Sequence, residues 1–232
     1  PAREMCFSEA VSFATGGVLI AGGGFATYKA AALNRRYLPF ALMPAMAGVQ
    51  QLFEGHVWMG LNVGDPTMVW WAALGFMFFS WFMWPAWIPL SVYVLEPPES
   101  RRKRWFYIFV VVGVGLGSIL FMPHLLNPDW INVSVNNRSL AYEDTMFLDY
   151  LVPRPATYAV YLLLIVLPPL LSTYLHVRLF AVTLIVIVTA VYLFLSYAYI
   201  SFFCLLAGLG TLHLIYIILR NKCRRECPVL FS

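Results

Sequence analysis

Glu54 is the residue whose type and place could do chemistry. It stands in Gln50-Gln51-Leu-Phe-Glu54-Gly-His56, inside a stretch otherwise apolar enough to cross a membrane. It is the only carboxylate well inside such a stretch. A charge at membrane depth costs about 2.5 kcal/mol or more on insertion scales, so the group is expected to face a bundle interior or water. On a helix, Gln50 and Gln51 precede it by one turn, and both amides can lie on its face. A carboxylate with amide neighbours is either a protonated member of a structural network or a site for a proton, a cation or a polar ligand. His56 points elsewhere unless Gly55 loosens the helix. Gln50, Gln51, Glu54 and His56 are the candidate ligand-binding residues.

The remaining reactive groups are few. Cys6 and Cys204 stand near the starts of two apolar stretches, and with His56 they form a candidate site for a transition metal such as Zn or Cu. The same thiols could instead pair as a disulfide or pack separately. Cys223 and Cys227 lie in Arg220-Asn-Lys-Cys-Arg-Arg-Glu-Cys, just past the last apolar stretch. Cysteines beside a membrane and basic residues are candidate palmitoylation sites. Ser172 and His176 are four apart and could meet as a nucleophile and base, though no acid nearby in sequence orients the histidine.

The elements that must position these groups follow from composition. The chain has 232 residues, 61% of them hydrophobic, 11% charged, and a mean hydropathy of +0.76. A soluble domain is expected near 45–50% apolar and about 25% charged. A soluble enzyme, a disordered chain and a Cys-stapled secreted domain are therefore excluded. Membrane spans are expected at 7–28, 38–61, 67–95, 105–122 and 156–175. A further stretch of about 40 residues, 179–219, has no Lys, Arg, Asp or Glu. One helix of that length would measure about 60 Å, twice the hydrocarbon thickness, so two spans, 179–196 and 200–219, are expected there. The continuous apolar runs do not alternate with period two, which argues against a β-barrel. The expected fold is all-α: a seven-transmembrane helical bundle forming one integral domain over 1–232, with an outer loop over 123–155.

Basic residues set the expected orientation. Arg35-Arg36, Arg101-Arg-Lys-Arg104, His176-Val-Arg178 and the tail Arg220, Lys222, Arg224, Arg225 follow spans one, three, five and seven. Loops after the even spans hold only Arg138 and Arg154. Basic loops stay in the cytoplasm, so the amino terminus is expected outside and the carboxyl terminus inside. The net charge of +4 then faces anionic lipid head groups at the inner face, and no nucleic-acid partner is expected. Projected on depth, Cys6, Glu9, Glu54, His56, His124 and Cys204 share an outer layer. Trp58, Trp70 and Trp71 are expected at the outer interface, and Trp81, Trp84 and Trp87 as a stripe that either packs, faces lipid or walls a ligand. Asn132-Val-Ser134 and Asn137-Arg-Ser139 match the glycosylation pattern in the outer loop.

Met5-Cys-Phe-Ser8, Gln50-Gln51-Leu-Phe-Glu54-Gly-His-Val-Trp58, Trp84-Pro85-x-x-x-Pro89, Pro169-Leu-Leu-Ser172 and Ser201-Phe-Phe-Cys204 together carry a resemblance. From Met5 onward the chain resembles a group of small, uncharacterised bacterial multi-pass membrane proteins whose chains open with Met-Cys-Phe-Ser. The resemblance implies seven spans and makes Cys6, Gln51, Glu54 and Cys204 part of the family's pattern. It implies no activity. In such relatives, removal of Met would leave an α-amine beside a thiol as a chelating pair. Here Pro1-Ala-Arg-Glu4 precede Met5, and a chain that keeps them has no such pair.

Several function classes can be weighed on these residues. Lys29, Lys103 and Lys222 all sit at membrane edges, so no retinal Schiff base is expected. Span three lacks an Asp-Arg-Tyr-like triplet and span seven lacks Asn-Pro-x-x-Tyr, which argues against a G-protein-coupled receptor. The leading expectation is an integral protein of a plasma or inner membrane. It would hold a small polar ligand or metal ion in an outward-facing pocket floored by Glu54 and Gln51 and rimmed by Cys6, His56 and Cys204. A transporter, an accessory subunit with a protein partner or oligomer, and an intramembrane enzyme are the alternatives.

Overall fold

The architecture comes from a computed structural model that describes residues 8–136, 139–144 and 147–194. The expected seventh span, Cys6, Cys204, Cys223, Cys227 and Asn137 lie outside the described residues. The chain forms a largely helical, membrane-associated bundle, and three of its helices are long and apolar enough to cross a membrane: Glu9–Leu33, Pro66–Leu95 and Arg102–Leu126.

Helix α1 (Glu9–Leu33) and helix α2 (Leu38–Val63) form an antiparallel pair joined by a short 3-10 turn. Buried positions on α1 are Ser12, Gly16, Leu19, Gly23, Ala26 and Ala30, alternately three and four residues apart. Small residues at that spacing let two backbones approach closely in lipid. A Cβ on Gly23 would stand 2.2 Å from the backbone nitrogen of Ala45. Helix α2 is as long as α1 and buries Gln50, Gln51 and Glu54. It ends on Gly64, whose φ of 72° closes the helix in the left-handed region glycine favours.

The expected third span is one continuous rod in three parts: α3 (Pro66–Met77), a π-helical turn (Phe78–Met83) and α4 (Trp84–Leu95). Asp65 caps it through bonds to the backbone N–H groups of Thr67 and Met68. It is the central element, half buried where α1 and α5 (Arg102–Leu126) are about a quarter buried. The outward faces of the peripheral helices carry Val18, Phe25, Ile108, Val111, Val112 and Val182, all exposed as lipid contact requires.

Helix α6 (Arg154–Leu170) stops short of the expected 175. Pro168 and Pro169 supply no N–H to continue the ladder, and the chain turns through Ser172-Thr173-Tyr174 into α7 (Leu175–Phe194). His176 and Arg178 therefore lie in the first turn of α7 rather than in a loop.

The expected all-α fold meets one departure. Residues 123–155 include an antiparallel hairpin, β1 (Ile131–Asn136) and β2 (Ser139–Asp144), paired Val133 to Tyr142 and Val135 to Leu140. Leu140 and Tyr142, two apart and so on one face, are buried against the bundle. The Tyr142 ring stacks on Phe76 with centroids 4.7 Å apart and planes within 5°.

Candidate functional site

At the middle of the bundle, Pro85 dictates the local geometry. It has no N–H, so neither an α nor a π hydrogen bond can reach back from it. The backbone N–H of Trp84 bonds the carbonyl of Phe79, five residues back, which is the π register. The Ser80 carbonyl would in that register look to residue 85 and finds proline. Tyr161 on α6 supplies the missing donor, its hydroxyl donating to Ser80 O at 2.5 Å. Turns of this kind inside α-helices occur frequently at functional sites.

Gln50 ties α2 to the same turn. Its Nε2 donates to Ser80 Oγ at 2.8 Å and to Phe76 O at 3.5 Å, and its Oε1 accepts from Trp84 Nε1 at 2.8 Å. Ser80 Oγ donates back to Phe76 O. The network thus joins five elements: α2, α3, the π turn, α4 and α6. The Trp stripe belongs to it: Trp84 bonds Gln50, Trp87 Nε1 donates to Pro39 O at 2.9 Å, and Trp81 is buried against α6. Trp81 is buried, and Trp84 and Trp87, half-buried, turn their indole N–H groups to acceptors within the bundle.

Glu54 is 2% exposed and Gln51 1% exposed, so both face the bundle interior. Of the two amides expected within reach of Glu54, that of Gln51 makes no hydrogen bond: both its Nε2 and Oε1 are buried without a partner. Since one residue advances the helix by about 100°, Gln50 takes the bonds toward span three and leaves Gln51 turned from them. His56 is exposed, with Nδ1 2.7 Å from Leu52 O and its ring edge-on to Phe13 of α1. The structure therefore separates His56 from the buried pair. His124 is fully buried, with its ring edge-on to Trp130 of the loop after α5, and Glu9 accepts from Asn62 where the start of α1 meets the end of α2. Trp58, expected at the interface, is buried in the core instead; Trp71 and Trp105 are exposed. Among the described residues no three His, Cys, Asp or Glu side chains come together as a metal site.

Sequence reasoning missed Glu96. Read as a loop residue after span three, it is fully buried at the C-terminus of α4. Its carboxylate accepts from Ser100 Oγ at 3.1 Å, Thr173 N at 3.3 Å, Ser172 Oγ at 3.4 Å and Thr173 Oγ1. Lys103 Nζ donates to its backbone carbonyl, and Arg102 reaches Leu171 O. Ser172 thus bonds Glu96, while His176 pairs with Tyr37 Oη at 3.3 Å, so the structure gives the two members of the expected Ser–His pair separate partners. One signal was available. A carboxylate at a helix C-terminus opposes the helix dipole and needs donors from elsewhere.

Residues 5–228 match the model of a family of unknown function, DUF6629, and the chain belongs to that family. No curated protein and no solved structure matches it.

Proposed function

We propose that this membrane protein has seven spans in one integral domain, with the amino terminus outside. In this reading it holds a small polar ligand in a pocket that opens to the outer side between α2, span three and α6. Gln51 and Glu54 form its floor. The orientation rests on the distribution of basic residues, since Arg35, Arg36 and Arg101–Arg104 all fall at one end of the helices. Anionic lipid head groups are the partners of that end.

The observation that carries the ligand reading is the Gln51 amide. It is 1% exposed and bonds nothing, one turn from a buried carboxylate. About nine in ten buried polar atoms find a partner, and an amide has both a strong donor and a strong acceptor to satisfy. A guest within hydrogen-bonding reach supplies both. A polar guest is favoured over a metal ion because no three His, Cys, Asp or Glu side chains gather among the described residues and the group left without a partner is an amide.

The test uses the full-length protein in lipid nanodiscs, titrated with propionate, propionamide, propylammonium and propanol. Unfolding midpoint and tryptophan fluorescence are the readouts. At least one solute should stabilise the wild type, and Gln51→Leu should abolish the response while circular dichroism stays unchanged. Wild-type protein that responds to none of the four, or a Gln51→Leu variant that responds equally, overturns the reading.

A further inference from the structure

We propose that residues 147–153, between the hairpin and α6, lie in the membrane rather than in water, with lipid as their partner. The proposal rests on the seven-span reading, in which α6 crosses the bilayer, and it holds whichever side faces the cytoplasm.

Helix lengths set the depth. The Arg102 guanidinium donates to Leu171 O at 3.0 Å, so the start of α5 and the end of α6 share a level. From that level α5 rises about 37 Å over its 25 residues, and α6 only about 26 Å over its 17. The hydrocarbon is about 30 Å thick, so α6 alone does not cross it. It begins about 11 Å short of the far end of α5. The turn Phe147–Tyr150 packs against both helices, where the chain must make up that difference.

The side chains suit lipid. The segment reads Phe-Leu-Asp-Tyr-Leu-Val-Pro, and Phe147, Tyr150, Leu151 and Val152 are exposed, Tyr150 at 72% and Leu151 at 67%. They lead in sequence into the exposed face of α6, which carries Ala156, Val160 and Leu163. Aromatic residues such as Tyr150 favour the boundary between hydrocarbon and water.

The polar groups suit it too. A loop in water has its backbone solvated, whereas one facing lipid must satisfy its own. Leu151 N and Val152 N both donate to Leu148 O, at 2.9 and 2.8 Å, and Pro153 has no N–H. Charged groups tolerated at membrane depth pair with one another. Asp149, the one charged residue of the segment, accepts from Arg154 Nε through both carboxylate oxygens at 3.1 Å.

The experiment puts nitroxide spin labels on the full-length protein in lipid nanodiscs, with Cys6, Cys204, Cys223 and Cys227 replaced by serine. Oxygen, which concentrates in hydrocarbon, and a polar nickel chelate, which stays in water, are the relaxing probes. Labels at Leu151→Cys and Tyr150→Cys test the segment, one at Val160→Cys reports α6, and one at Asn136→Cys reports the hairpin. The ratio of oxygen to nickel accessibility at Leu151 and Tyr150 should exceed that at Asn136 by about tenfold or more. Circular dichroism identifies a label that disturbs the fold, and the other of the two positions then decides. A ratio like that at Asn136 means water and overturns the proposal. Low accessibility to both probes means that protein, a second copy or the chain beyond Phe194, covers the segment, and overturns it as well. If Val160 meets lipid and Leu151 does not, the crossing by α6 stands and this proposal falls. If neither meets lipid, both fall.

Discussion

The hydroxyl of Tyr161 gives the Ser80 carbonyl the hydrogen bond that Pro85 cannot give. The bond is 2.5 Å long and joins α6 to the π turn at the centre of the bundle. Removing one partner from a buried bond costs about 1–3 kcal/mol. Tyr161→Phe should therefore lower stability by about that amount. In a Pro85→Ala background an amide hydrogen becomes available on the same helix, and Tyr161→Phe should cost less than half as much. Unfolding of all four proteins in a double-mutant cycle measures the coupling. Additive effects would show that Tyr161 does not act through the carbonyl Pro85 leaves open.

Glu96 should prove one of the most sensitive residues at the end of the bundle where α4 closes. It gathers Ser100, Ser172 and Thr173 from two separate turns and is fully buried. Hydrogen bonds to charged groups contribute about 1.5–3 kcal/mol each, and truncation of the acceptor strands several donors together. Glu96→Ala should destabilise by at least about 3 kcal/mol, Ser172→Ala by about 1 kcal/mol. Thermal unfolding in detergent measures both. Equal small losses for the two would mean that the carboxylate is not the hub of the knot.

The contrast between Glu54 and Glu96 shows which burial is legible in the sequence. Glu54 announced itself because a carboxylate inside an apolar run has only one tolerable place, the interior. Glu96 stood at the boundary of a span among Pro, Ser and Arg, where water is the default, and its burial depends on residues 172–173 far along the chain. That Pro85 interrupts the helical hydrogen bonds of span three is legible from proline alone, whereas the donor that answers it, Tyr161, is not. The hairpin was hidden by its brevity. Its two six-residue strands are rich in Asn, Ser and Asp, and only the spacing of Leu140 and Tyr142 betrays a buried face.

The small-residue seam between α1 and α2 makes a paired prediction. A Cβ on Gly23 would meet Ala45 backbone at 2.2 Å, whereas one on Gly17 meets nothing within 4 Å. Gly23→Val should separate the helices and cost at least about 2 kcal/mol, the upper range of overpacking penalties. Gly17→Val should stay within about 0.5 kcal/mol of wild type, as surface substitutions do. Midpoints of unfolding in the same detergent compare them. A Gly17→Val loss as large as that of Gly23→Val would mean that α1 is packed on its open face too.

The orientation reading makes the last prediction. Strand β1, which ends at Asn136, and the basic segment beside Arg101 follow and precede α5, which rises about 37 Å over its 25 residues. If the basic end is cytoplasmic, a membrane-impermeant thiol reagent added to intact cells should label a cysteine introduced at Asn136. One at Arg101 should react only after the membrane is opened. Both belong in a background where Cys6, Cys204, Cys223 and Cys227 are replaced by serine, so that native thiols give no signal. Reversal would put the four basic residues at Arg101–Arg104 on the translocated side, against the rule that keeps short Lys- and Arg-rich loops inside. Labelling of Arg101→Cys but not Asn136→Cys in intact cells overturns the orientation, and with it the outward opening of the Gln51–Glu54 pocket. Labelling of both overturns the placement of α5 across the membrane.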